Sequence, residues 1–205
     1  MTLVDAGHGW LVHPRRVRVL AERAAQLLPP GARVLDVGAG DGQLAAAVLD
    51  RRADLRIEGI DVLVRPATRI PVSSFDGRRI PRPDRSVDAV MLIDVLHHAD
   101  DPAALLREAV RVARTCVVLK DHVCQHRLAR AVLRVMDHVG NAKHGVALPH
   151  NYWSRRQWAD ALGALQLEPA VWDVGGLGLY PWPADLIVGG SLHVMARLNV
   201  PPQAA

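Results

Sequence analysis

The sequence predicts an α/β domain in which a mostly parallel sheet carries helices on its faces. Three observations predict it. Short β-branched apolar runs alternate with helical or loop crossovers through the first 120 residues. The first of these runs opens into a glycine-rich loop that passes at once into a helix-forming segment. Each of the first four strands ends in an aspartate: Asp36, Asp61, Asp76 and Asp94.

The organising stretch is Val34-Leu35-Asp36-Val37-Gly38-Ala39-Gly40-Asp41-Gly42, followed by Gln43-Leu44-Ala45-Ala46-Ala47-Val48-Leu49. It reads as a buried strand, a tight turn and a helix N-terminus. Glycines at such a turn let the backbone approach a ligand closely, because no Cβ stands in the way.

Residues 1–13 hold Gly7, Gly9 and Trp10 without periodicity and read as an N-terminal loop or lid. Pro14 suits a first helical turn, and Val17, Leu20, Ala21, Ala24, Leu27 and Leu28 recur on one face until Pro29-Pro30-Gly31 ends the helix. The first strand runs from Arg33 to Val37, and its helix reaches Asp50. Leu55 to Ile60 is a second strand delivering Asp61. The next stretch, 62–71, contains two prolines and is too short for the usual crossover helix, so that helix is expected to be short or missing. Val72 to Phe75 is a third strand leading to Asp76-Gly77, and the Pro- and Arg-rich residues 78–86 form a loop. Val87 to Ile93 is the fourth strand and Thr115 to Leu119 the fifth, which delivers Lys120-Asp121-His122. Between them Asp101-Pro102 caps a helix over 103–113. A helix carrying Leu128, Val132, Val135, Met136 and Val139 stops at Gly140-Asn141. Ser154-Arg155-Arg156-Gln157 is a capping box that opens another, ending near Gly163. Leu167–Val174 and Leu192–Leu198 are the last two strands.

The length of 205 residues suits one domain, 1–205, with no internal repeat and no linker. No window approaches the roughly 18 apolar residues of a membrane span, and Met1 to His8 lacks the basic start and apolar core of a signal peptide. Cys116 and Cys124 cannot make a disulfide framework, so a cytoplasmic protein without membrane contact is expected. The net charge of +4 raises the question of nucleic acid. Yet lysine occurs only at Lys120 and Lys143, and the arginines come as singles and pairs with no run of four, which argues for a solvated basic surface. Oligomeric state is not fixed by the sequence, and a homodimer is compatible with it.

In an open parallel sheet, ligands bind beyond the carboxyl ends of the strands where the strand order reverses, so the four acids should line one crevice. A dinucleotide loop requires Gly-x-Gly-x-x-Gly, but here the third glycine arrives one residue early, at Gly42, and Gln43 holds the expected place. An acid-lined rim also repels phosphate. A cationic or neutral nucleoside fits better, because carboxylates accept hydrogen bonds from a ribose diol, an exocyclic amine or an ammonium group.

With these residues in view, the glycine-loop stretch resembles motif I of the class I S-adenosylmethionine-dependent methyltransferases. Asp88-Ala89-Val90-Met91-Leu92-Ile93-Asp94-Val95-Leu96-His97-His98 resembles the fourth-strand motif of their methyltransferase type 11 branch. The similarity covers about residues 15–125. It implies a Rossmann-like sheet of seven strands in the order 3-2-1-4-5-7-6, the last one antiparallel. It further implies S-adenosylmethionine as cofactor and S-adenosylhomocysteine as product. By resemblance Asp36, Gly38 and Gly40 hold the methionine end, Asp61 both ribose hydroxyls, and Asp76 with Gly77 the adenine edge, while Ala39, Val62 and Phe75 also belong to the cofactor-binding set. Asp94 and Val95 line the methionine near the sulfonium.

The implied reaction is in-line transfer of a methyl group to a nucleophile, in which holding the acceptor in line supplies most of the catalysis. A hydroxyl acceptor also needs a base, and His98, Asp121 and His122 are the candidates at the correct sheet edge. His97 reads instead as an oriented structural histidine. His122 and His126 have a spacing that can bind zinc on a helix, but no second ligand pair accompanies them and no metal is expected. Acceptor-side loops are placed at 140–153 and 175–191, with Trp10 and Tyr180-Pro181-Trp182-Pro183 nearby; the other tryptophans read as packing residues. The reading is methylation of a small molecule. An RNA methyltransferase and a non-catalytic cofactor-binding scaffold or sensor are the alternatives, and a nicotinamide enzyme ranks below both.

Overall fold

The computed structural model describes residues 12–141, 149–182, 184–185 and 190–201. The elements are α1 (His13–Leu27), β1 (Arg33–Val37), α2 (Gln43–Leu49), β2 (Arg56–Asp61), β3 (Val72–Ser74) and β4 (Val87–Ile93). A short 3-10 turn, Leu96–His98, follows. The chain then forms α3 (Pro102–Val112), β5 (Ala113–His122), α4 (Arg127–Asn141), α5 (Arg155–Ala164), β6 (Glu168–Val174) and β7 (His193–Asn199).

All seven strands make one sheet, in the order β3-β2-β1-β4-β5-β7-β6. The first five are mutually parallel, and β7 runs antiparallel to both β5 and β6. Order and direction agree with the expectation, and residues 62–71 contain no crossover helix. Among the described residues no helix is long and apolar enough to cross a membrane.

Alternation of side chains along the strands builds a core on each face. Leu35, Val37, Val90, Leu92, Val117 and Leu119 pack with Leu105, Leu106 and Ala109 of α3 and with Trp158 and Leu162 of α5. Val34, Met91, Cys116, Val118 and Met195 face Leu20, Ala21 and Ala24 of α1 and Ala45 and Val48 of α2. Burying one such aliphatic side chain contributes about 1.5–3 kcal/mol, so these two layers fix the sheet edge on which the site stands.

Local signals act as their chemistry dictates. Asp101 Oδ1 accepts the Ala104 N–H at 2.9 Å to cap α3, and the Ser154–Gln157 capping box opens α5. α1 begins at His13, one residue earlier than expected. β5 is longer than its apolar run suggested. Lys120, Asp121 and His122 belong to the strand, because β7 pairs with them through Met195, Val194 and His193. Residues 1–11, with Trp10, and residues 142–148 of one acceptor-side loop lie outside the described residues.

Candidate functional site

The glycine loop is held against the ends of β2 and β4 by backbone hydrogen bonds and, at Gly38 and Gly42, by approaches too close for a Cβ. Gly38 and Ala39 donate N–H to Ile60 O at 2.8 and 3.2 Å. Gly38 has φ +76°, and a Cβ there would stand 2.5 Å from the Val95 side chain. Gly42 caps α2 with φ +76°, and a Cβ on it would meet Ile70 at 2.6 Å. The early third glycine therefore serves the packing of the 62–71 segment, a requirement unlike that of a pyrophosphate turn. Gly40, also at positive φ, faces open space instead. A cradle forms here that Cβ atoms would obstruct.

Acids surround this cradle in graded environments. Asp36 is 3% exposed, and burial together with the Asp61 charge pushes its carboxyl up to about 7. Asp61 is fixed by two backbone donors: Oδ2 takes the Gly40 N–H and Oδ1 the Leu63 N–H, both at 2.8 Å. Asp76 is exposed, and its Oδ1 accepts the Arg78 and Arg79 N–H groups at 2.8 Å, which lowers its pKa. A Cβ on Gly77 would lie 3.0 Å from Val62, so these two line one narrow place, and Phe75 is half-buried beside them. These groups fit a nucleoside with a positive or neutral tail: carboxylates for hydroxyls and amines, and a glycine cradle for close approach.

At the end of β4, Asp94 adopts φ +58°, a left-handed conformation that aspartate tolerates and that marks local strain. Its carboxylate meets two cations, Lys120 through Oδ1 and Arg16 through Oδ2. Burial pushes this carboxyl up, but Lys120 and Arg16 outweigh burial and hold it well below the usual range. Lys120 is fully buried in β5, and burial lowers its pKa although Asp94 opposes the shift. Arg16 comes from α1 and also donates to the Tyr180 hydroxyl at 2.9 Å.

Beyond this trio lies a buried imidazole–carboxylate cluster. His97 is 2% exposed, with Nδ1 2.7 Å from Asp121 Oδ1 and Nε2 3.5 Å from Asp137 Oδ2. Burial lowers the pKa of this ring, but the two carboxylates reverse the effect and leave it raised. Asp121 Oδ2 accepts the Leu96 N–H at 2.9 Å, and Oδ1 accepts the His122 N–H at 2.7 Å. The Tyr152 hydroxyl donates to Asp137 and lies 3.0 Å from His150 Nδ1. Burial, Lys120 and His97 push His122 down to about 4, so that ring is neutral. His98 is half-buried, and its ring centroid lies 4.0 Å from that of His97. Burial and the His97 charge lower its pKa, and Nδ1 has no hydrogen-bond partner among the described residues.

The three candidate bases thus differ sharply. Asp121 and His122 are buried and engaged with backbone or ring donors, whereas His98 keeps a neutral nitrogen without a partner. His126 Nδ1 accepts the Ala129 N–H at 3.2 Å and serves the first turn of α4. Asp94, His97 and His122 offer ligand atoms within 4.8 Å of one another. Two cations already hold the Asp94 oxygens, and Asp121 engages His97 Nδ1, so a metal ion there would meet Lys120 and Arg16 at contact range. The sequence reading missed Arg16, Lys120, Asp137 and Tyr152. The one local signal was a lysine set directly after the apolar run Cys116–Leu119.

Sheet order, glycine cradle and strand-end acids together define a class I S-adenosylmethionine-dependent methyltransferase architecture. A family model described as a methyltransferase domain matches residues 12–170, and the chain belongs to that family. It is 30% identical over 110 residues to a 27-O-demethylrifamycin SV methyltransferase of Amycolatopsis mediterranei, covering 46% of this chain and 40% of that protein. It is 33% identical over 115 residues to a ubiquinone biosynthesis O-methyltransferase of Hahella chejuensis, covering 50% and 46%. The chain therefore spans less than half the length of these curated relatives. In fold it is similar to a SAM-dependent methyltransferase from Aquifex aeolicus, with a TM-score of 0.61 at 17% identity over 96% of this chain and 98% of that one. A geranyl diphosphate methyltransferase solved with SAM gives a TM-score of 0.63 at 16% identity, over 90% and 85%.

Proposed function

We propose that this chain transfers a methyl group from S-adenosylmethionine to a nucleophile on a small molecule. The observation that carries the reading is the juxtaposition of the acid-rimmed glycine cradle with a neutral, half-buried His98 in the turn after β4. When bound, the cofactor supplies an electrophilic methyl group on a positively charged sulfur. Asp36, Gly38, Ala39 and Gly40 hold its amino-acid end, Asp61 and Val62 the ribose, and Phe75, Asp76 and Gly77 the adenine. Asp94 and Val95 close the side nearest the sulfur.

The acceptor enters over β4 and β5, between the 149–153 segment and the loop leading to β7. Asn151 anchors the first of these, donating Nδ2–H to Ala99 O at 2.8 Å and its backbone N–H to His97 O at 3.1 Å. The His98 imidazole accepts the acceptor's proton. His97 lies beside it, and Asp121 fixes the turn that carries both rings. Two relatives whose names specify O-methylation of small molecules or an O-methyltransferase support an oxygen acceptor. Many arginines are engaged by acids elsewhere, as in Arg82–Glu58 and Arg111–Glu108, which favours a small molecule over RNA.

The test is transfer of labelled methyl from S-adenosylmethionine to a panel of phenols, sugars, carboxylic acids and total RNA. Label on a hydroxylated small molecule, lost in His98→Ala, supports the proposal. Label on RNA, with binding that falls steeply with salt, would replace it with the RNA reading.

A further inference from the structure

The exposed large apolar side chains among the described residues are Val62, Leu63, Val64, Leu128, Val135 and Trp182. All of them sit on segments that leave the carboxyl edge of the sheet, and the opposite edge carries none. Val62, Leu63 and Val64 follow β2 and belong to the acid-rimmed cradle, beside Asp61 and Gly77. The others stand over β5 and β7: Leu128 and Val135 on α4, 71% and 63% exposed, and Trp182 in the loop leading to β7, 81% exposed. Apolar surface left in water this way is unfavourable unless something covers it.

The inner side of α4 is fixed by packing. Ala129 and Leu133 meet Cys124, Tyr152 and Leu192, and Asp137 reaches His97 in the turn after β4, so the helix lies over the ends of β4 and β5. Helical periodicity then sends Leu128 and Val135 outward in one row and the exposed Arg127, Arg130 and Arg134 in another, with exposed Ala131 between them. Asp137 is the one acid in α4, and it is buried, so the outward charge of the helix is positive only. Asp185, near Trp182, is engaged by the Tyr180 N–H at 3.0 Å.

We propose that α4 is an interfacial helix that docks the protein on an anionic phospholipid surface. Its aliphatic row enters the boundary between headgroups and acyl chains, and its guanidinium groups meet the phosphates. Trp182 suits the same boundary, being an apolar ring with one polar edge. A polyanion such as RNA would engage the arginines but leave Leu128 and Val135 in water. A second copy of the chain would bring the arginine row against itself or against the apolar row, and neither pairing is complementary. A helix lying in the interface needs no apolar span, and the expectation of no membrane contact rested on the lack of one. The inference stands apart from the cofactor assignment, since it uses only the outward side of α4 and Trp182.

Flotation of the full chain with phosphatidylglycerol–phosphatidylcholine vesicles and with pure phosphatidylcholine vesicles, at low and high salt, tests it. The protein should float with the anionic vesicles, and far less with the neutral ones or at high salt. Arg127→Gln, Arg130→Gln and Arg134→Gln combined should weaken that binding roughly 100-fold, at about 5-fold for each arginine near the surface. Leu128→Ser with Val135→Ser should weaken it roughly 10-fold and keep the preference for anionic lipid. A charge-matched set on the opposite edge, Arg33→Gln, Arg51→Gln and Arg56→Gln, should leave it nearly unchanged. All these side chains are exposed, and urea unfolding checks that each variant is folded. Absence of binding to anionic vesicles at low salt would overturn the proposal. So would equal loss from the opposite-edge set, or wild-type binding by the Leu128→Ser, Val135→Ser variant. Binding of total RNA or polyglutamate through the same arginines, by protein that ignores the vesicles, would overturn it and assign the face to that polyanion.

Discussion

Asp121 holds His97 twice, through the ring Nδ1 at 2.7 Å and through the backbone N–H at 3.4 Å, so one carboxylate fixes both the charge and the place of that histidine. The same carboxylate takes the Leu96 and His122 N–H groups, which ties the turn after β4 to the end of β5. Removing one partner from a buried charged pair is costly because the other is left without compensation. Asp121→Ala should lower stability by about 3–5 kcal/mol in urea unfolding. A loss below about 1 kcal/mol would show that the turn is held by other contacts.

His98 lies in the same turn, but its ring Nδ1 takes no part in that clamp. His98→Ala should leave the affinity for S-adenosylhomocysteine within about twofold while lowering turnover on a hydroxyl acceptor by roughly 10²–10⁴-fold. Equal turnover in variant and wild type would remove His98 as the base.

Asp61 joins the cradle to the ribose side. Asp61→Ala should weaken S-adenosylhomocysteine binding by about 1–3 kcal/mol, through charge-assisted hydrogen bonds lost from the ligand and from Gly40. Calorimetry on the purified variant measures this, and unchanged affinity would dismiss the assignment.

The buried histidines make folding sensitive to acid. His122 titrates near 4 in the folded protein, and His193 is also held well below its ordinary value, both by burial first and then by the Lys120 charge. Their folded pKa values lie below the unfolded value, so the stability they contribute is complete above about 6.5 and is lost as pH falls toward 4. His97, shifted upward, works in the opposite sense: its contribution is complete below about 6.5 and is lost as pH rises through its folded value. His98, also shifted downward, adds to the acid-sensitive side, and Asp36, pushed up to about 7, adds to the opposite one. His193→Asn should therefore lose less stability than the wild type between about pH 7 and pH 5 in urea unfolding; an equal loss in both would contradict the role of His193.

Asp36 titrates near 7 in the ligand-free protein because it is buried beside Asp61. An ammonium or sulfonium nearby favours the ionised form, so cofactor affinity should rise several-fold between about pH 6 and pH 8 as Asp36 loses its proton. Asp36→Asn should flatten that rise. A variant with the wild-type pH profile would place the ligand's charge elsewhere.

Much of the architecture was legible because it is local. A β-branched run, three glycines and a helix former announce β1 and α2, and the two prolines in 62–71 explain the absent crossover helix. Strand ends were less so. Lys120, Asp121 and His122 look like loop residues because they are polar, and only pairing with β7 shows them to be strand. The trio of Arg16, Asp94 and Lys120 joins residues far apart in sequence, and so does the contact of His97 with Asp137. No periodicity reports such pairs, because they arise from the way α1 and α4 dock on the sheet.

The central claim is that the acid-rimmed cradle holds S-adenosylmethionine, and a crystal structure with S-adenosylhomocysteine tests it most directly. The account predicts the ribose on Asp61, the adenine beside Asp76 and Gly77, and the bare sulfur beside Gly38 and Asp94, facing His98. A ligand seated elsewhere, or a cradle left empty at saturating ligand, would contradict it.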